Sequence, residues 1–187
     1  MSDWSSDVCS SDLKKLIFIS LLFSILSLSV SAQKPTKAEK AAQLEQEFQQ
    51  TRQLIESNHF QFELNRVYPQ DGQDLSRFNP RGKFVITDSV AKGTLPFFGR
   101  AYSLPYGEGG GIEFDGVMKD QSLKIEHKKK RKILIYRFSI TAKNDTYQIS
   151  MEISGGGNCS VNLNSNNRAQ ISYSGTVSPV KDETGKS

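Results

Sequence analysis

ILIYRFSITAKNDTYQISMEISGGGNCSVNLNSNNRAQISYS, residues 133–174, decides the fold. Four strand-like runs lie in it: Ile133 to Ala142, Thr146 to Ser154, Cys159 to Leu163 and Gln170 to Ser174. Three punctuators part them: Lys143-Asn144-Asp145, the glycines at 155 to 157, and Ser165-Asn166-Asn167-Arg168. Each gap is far too short for a crossover helix, so the runs must join as consecutive antiparallel hairpins.

Working toward the N-terminus, further strands are predicted at Leu123 to Lys128, Gly111 to Phe114, Leu95 to Phe98 and Lys83 to Asp88. Turns fall at Asp71-Gly72 and Asn79-Pro80-Arg81-Gly82. Phe60, Phe62 and Leu64 alternate with Gln61, Glu63 and Asn65, the period of a half-buried strand running toward Val67 and Tyr68 until Pro69 stops it. Before Asn58 the period changes. From Lys37 to Ser57, Ala38, Ala41, Leu44, Phe48 and Ile55 recur at mostly three- and four-residue spacings, which predicts a helix covering one face or end of the sheet. Thr36 and Glu39 have capping-box spacing at its start. The predicted class is mainly β with an N-terminal helix. It is a single antiparallel β domain of about eight strands, either a barrel-like curled sheet or a sandwich.

LIFISLLFSILSLSV, residues 16–30, follows Lys14-Lys15 and precedes Ser31-Ala32-Gln33. A short apolar run between a basic flank and small residues is the pattern of a secretory signal peptide, here residues 13–32. It falls short of the roughly 20 residues that span a bilayer, so no stable membrane span is expected after cleavage. The opening MSDWSSDVCSSD carries Asp3, Asp7 and Asp12 where such a leader needs positive charge. It resembles translated sequencing-adapter read-through, and residues 1–12 are read as non-native. Residues 33–36 form a linker, 37–179 the domain and 180–187 a polar tail.

Export changes the chemistry expected of the remaining residues. From Gln33 on, 22 Lys and Arg stand against 17 Asp and Glu, a net charge of +5, and Cys159 is the one remaining cysteine. A disulfide within that part of the chain is therefore excluded, and the fold must rest on ordinary packing. Nothing local activates Cys159 as a nucleophile.

The densest local signal is LPFFGRAYSLPYGEGGGIEFDG, Leu95 to Gly116. It resembles the LPYFGRAY and PY...GGI.F signature of the DUF4251 family, uncharacterised exported proteins found mainly in Bacteroidetes. The resemblance runs from the helix near Ala38 to ISYSGTVSP at 171–179, with Phe97 where the family often has Tyr. It implies a periplasmic or extracellular location in a Gram-negative host and supplies no catalytic residue. From the residues themselves, Arg100 offers a guanidinium to a ligand carboxylate, and Tyr102 and Tyr106 offer hydroxyls and ring faces. Core packing and tight turns account for the same rings, prolines and glycines. GEGGG lacks the lysine and hydroxyl of a phosphate-binding loop.

Lys128, Lys129, Lys130, Arg131 and Lys132 form the sharpest charge feature, read either as a solvated hairpin or as a contact for an anionic surface. Export and the lack of interleaved aromatics disfavour nucleic acid. His59 and His127 stand far apart and without ligand spacing, so neither a metal site, a cofactor nor a catalytic residue is predicted. The function expected is a noncatalytic, exported binding or envelope-associated domain, holding a small hydrophobic ligand or meeting an envelope protein. The alternatives are a hydrolase acting on envelope glycan or lipid, with His59 or His127 as base, and a protein-interaction or structural module.

Overall fold

The computed structural model of the chain describes residues 36–103, 110–128, 131–142 and 145–181. The expected leader and signal segment, Tyr106, Lys129, Lys130 and the end of the polar tail lie outside the described residues. Helix α1, Lys37–Glu56, is built from strong helix formers and ends where Asn58 turns left-handed at φ 49°. Eight strands follow: β1 His59–Pro69, β2 Lys83–Thr87, β3 Val90–Leu95, β4 Ile112–Lys128, β5 Arg131–Thr141, β6 Thr146–Ser154, β7 Asn158–Ser165 and β8 Ile171–Pro179. Each pairs antiparallel with the next, and β8 returns to β1, so the sheet closes into an up-and-down barrel. Of the two architectures the sequence allowed, the barrel is the one formed.

Closure follows from the seam between the first and last strands. Nine residue pairs run from Phe60 opposite Pro179 to Pro69 opposite Ile171, shifting register between Leu64 and Arg66. Such a bulge sharpens the local bend, which a small barrel requires.

Three stretches depart from the sequence expectation, one of them β8, expected at Gln170 to Ser174 and running on to Pro179. The strand expected at Leu95 to Phe98 lies earlier, at Val90–Leu95, and shares only Leu95 with the expectation, because Pro96 has no N–H to continue a ladder. The strands expected at Gly111 to Phe114 and Leu123 to Lys128 are one 17-residue strand, β4. Asp115-Gly116 continues the strand, paired with β3, and the pairing with β5 shifts register between Lys119 and Ser122, with Asp120 at φ 54°.

Side chains facing inward are mostly apolar, and they form the core. Phe62 stacks on Phe84 at 5.0 Å, Phe84 meets Phe114 at 5.8 Å, and Phe114 meets Tyr147 at 6.4 Å, an arc of rings crossing from β1 to β6. Ile149, Met151, Val161, Ile171 and Tyr173 complete the interior. Most outward positions are polar or charged, as with Lys92 and Asp115, which form a 2.7 Å ion pair across β3 and β4, and Val90, Val117 and Ile125 are exposed exceptions. A membrane-spanning barrel has the reverse pattern, an apolar outer band around a polar lumen. Among the described residues no helix is long and apolar enough to cross a membrane.

Helix α1 sits at the barrel end where the β4–β5 and β6–β7 hairpins turn. Phe48, Thr51 and Ile55 are its buried residues, and the Phe48 backbone passes so close to Gly155 that a Cβ there would lie 3.3 Å from the Phe48 nitrogen. Lys132 donates to both carboxylate oxygens of Glu45 at 2.9 Å and lies 5.7 Å over the Phe48 ring. That pairing holds Glu45 below the usual carboxylate range, with Gln49 donating to the same group.

Cys159 is buried on β7, and burial pushes its thiol well above its ordinary value, with the Glu152 carboxylate adding in the same direction. A native-state reaction with a thiol reagent therefore waits for the barrel to open. Alkylation is expected to be slower in buffer than in denaturant by at least on the order of a hundredfold, since opening such a core approaches the global unfolding cost. Equal rates by mass spectrometry would show that β7 is not held as described.

Candidate ligand-binding site

The barrel end opposite α1 is formed by the connections β1–β2, β3–β4, β5–β6 and β7–β8. The segment after β3 crosses this end and is tied to the β7–β8 loop through the backbone. Ala101 bridges Arg168, the Ala169 N–H donates to the Arg100 carbonyl at 2.9 Å, and the Tyr102 N–H donates to the Asn167 carbonyl at 2.8 Å. The Tyr173 hydroxyl, rising from the barrel interior, donates to the Pro96 carbonyl at 2.9 Å. These three hydrogen bonds, two of them making the bridge, fix both loops without using any charged side chain.

Arg168 is the group this arrangement leaves over. It is 5% exposed, its guanidinium carbon lies 5.2 Å from the Phe97 ring centre, and Nε and Nη1 have no hydrogen-bond partner. Leaving two N–H-bearing nitrogens of a buried cation unbonded is costly, by about 2 kcal/mol or more for the missing hydrogen bonds. Its charge reaches Tyr173, where it works against the larger upward push of burial on the phenol.

An open hollow of about 1150 Å³ adjoins this end and continues over the outer face of β2, β3 and β4. Arg168, Asn167, Ser103, Phe114, Tyr147 and Asp145 are among its walls. Asp145 uses Oδ1 to accept from the Thr146 N–H at 2.8 Å, while Oδ2 is buried without a partner. Acid and guanidinium thus line one hollow, and no ion pair joins them.

Residues 42–177 match the family model described as "Domain of unknown function (DUF4251)". The chain belongs to the DUF4251 family. The crystal structure of a DUF4251 family protein from Bacteroides eggerthii DSM 20697 is similar to it, with a TM-score of 0.52 and 23% identity over 74% of this chain and 91% of that one. At that identity the likeness is one of fold. No curated protein matches the chain.

Within this DUF4251 domain the predicted site residues are dispersed. The backbone of Arg100 and Tyr102 reaches the hollow's edge, but the Arg100 side chain is exposed and Tyr102 is 62% exposed. Of the basic run, Lys128 pairs with Glu152 at 2.7 Å, Lys132 is held by Glu45, and Arg131 is exposed at the start of β5. His59 begins β1 and His127 lies near the end of β4, both toward the α1 end, away from the hollow. Among the described residues no three His, Cys, Asp or Glu side chains come together as a metal site.

Arg168 gave no signal in the sequence, where it closes a polar Ser-Asn-Asn turn that reads as solvent-exposed. The ring of Phe97, 71 positions earlier, lies against it. The central aromatic segment was the one legible pointer to this end of the barrel.

Proposed function

We propose that this DUF4251 protein is an exported, noncatalytic binding module of the bacterial envelope, and that its ligand sits at the barrel end opposite α1. The observation that carries this reading is the hollow bounded by the loops after β3, β5 and β7, with buried polar atoms of Arg168 and Asp145 left unpaired on its wall. Small-molecule sites combine an apolar wall with a few convergent polar groups. Phe114 and Tyr147 supply the first and the two charged residues the second.

The packed interior favours this end over the lumen for the small, largely apolar ligand expected from the sequence, since Phe62, Phe84, Phe114 and Tyr173 already occupy the barrel. The export reading rests on the apolar run at 16–30 with its basic flank.

Native mass spectrometry of the protein purified from a bacterial envelope is the test. One equivalent of a retained small molecule is the expected result. A bare chain mass, together with no hit in a small-molecule screen and no co-purifying envelope protein, would overturn the reading.

A further inference from the structure

We infer that Arg168 is the receptor for a single anionic group, a carboxylate or a phosphate ester, at one end of a ligand whose remainder is apolar. The inference rests on the binding-module reading above and gives it a ligand class.

Three observations converge on it. First, the Arg168 guanidinium is buried on the wall of the hollow with Nε and Nη1 unbonded, and Phe97 offers only its ring. A planar guanidinium is the side chain best matched to carboxylate and phosphate oxygens, which it binds through paired N–H groups. Second, the residue is held in place by its neighbours. The bridge to Ala101 and the hydrogen bonds through Asn167 and Ala169 fix the backbone on both sides of it. Binding an anion there requires little further ordering, which is where preorganised sites gain affinity.

Third, the surroundings select the rest of the ligand. Phe97 covers one side of the cation, and Phe114 and Tyr147 line the same hollow, so an apolar body has rings to lie against. Asp145 shares the hollow and repels any second negative charge, which disfavours polyanions such as nucleic acid. Its unbonded Oδ2 is left to accept from a hydroxyl or ammonium on the ligand.

The test uses the purified protein with hexanoate, hexyl phosphate and hexan-1-ol, followed by calorimetric titration and by thermal melting. Both anions are expected to bind saturably and to raise the melting temperature, while the alcohol of equal chain length does neither. The stronger of the two anions tells carboxylate from phosphate. Arg168→Met is expected to weaken the anions at least tenfold. It should also leave the unliganded melting temperature at or above that of the wild type, because Nε and Nη1 have no hydrogen bond to lose.

A smaller loss of affinity in Arg168→Met, equal binding of hexan-1-ol, or no saturable anion binding by the wild type would overturn the inference. If Arg168→Met fails to fold, Arg168→Lys decides, since it keeps the charge and loses the planar fork. It should weaken hexanoate severalfold, and unchanged affinity would overturn the proposal. A neutral molecule retained equally by wild type and Arg168→Met would remove the anion receptor and leave the binding module standing.

Discussion

Gly175→Ala is expected to be among the most damaging single substitutions in this protein, costing about 3 kcal/mol or more and lowering the melting temperature by roughly 10 °C. Gly175 lies inward on β8, opposite Leu64, at the place where β1 shifts register. A Cβ there would overlap the Glu63 carbonyl oxygen and come within 2.8 Å of the Phe62 ring. A ring can swing aside, but a main-chain oxygen at a strand seam moves only if the ladder moves with it. Shortening the ring with Phe62→Ala should therefore fail to restore Gly175→Ala. Gly110→Ala is the control, because nothing lies within 4 Å of its added carbon. Its melting temperature should match the wild type, and similar losses from both substitutions would mean the seam does not pack as described.

Phe84→Ala should cost about 3–5 kcal/mol, a large share of the stability of an ordinary domain. Phe84 is fully buried and touches two rings, Phe62 at 5.0 Å with planes 28° apart and Phe114 at 5.8 Å with planes 56° apart. Collapse into the space is hindered because Gly93, its partner on β3, has no side chain to advance. Denaturant unfolding of Phe62→Ala, Phe84→Ala and the double variant gives the coupling between the stacked pair. A value of about 0.5–1.5 kcal/mol is expected, and additive losses would show that the two rings do not act together.

The same residues show what could be read from the chain and what could not. Strands β5 to β8 were legible because apolar residues alternate inside runs parted by polar or glycine turns. The helix was legible from its change of period at Asn58. β3 was missed because VAKGTL turns a glycine and a small alanine inward, Gly93 and Ala91, where a strand normally shows large apolar residues. β4 was split in two because Asp115-Gly116 imitates a turn that the neighbouring strands hold extended. Closure was illegible for a different reason, since it depends on β1 meeting β8 and no local pattern reports a pairing across more than 100 residues.

For the candidate site, the sequence singled out Arg100, whereas the arginine on the wall of the hollow is Arg168. Arg100 sits in the aromatic stretch and shows its side chain to solvent, while Arg168 sits in a polar turn and is buried against that stretch. Burial of a polar residue against a distant loop is a property of the closed fold and leaves no trace in its neighbours.

The seam between β1 and β8 also governs the order of events in folding. Hairpins β4 to β8 are local and can form as soon as their residues are available, but β1 must wait for residues 171–179 before it has its second neighbour. Contacts between such distant segments carry a loop-closure cost that slows folding. Until the last strand arrives, the sheet has two raw edges and the rings of Phe60 and Phe62 have no lid from that side. A chain ending before Ile171 should therefore behave as an aggregating, protease-sensitive species, and the final nine-residue strand acts as the timing element that commits the whole polypeptide to its native state.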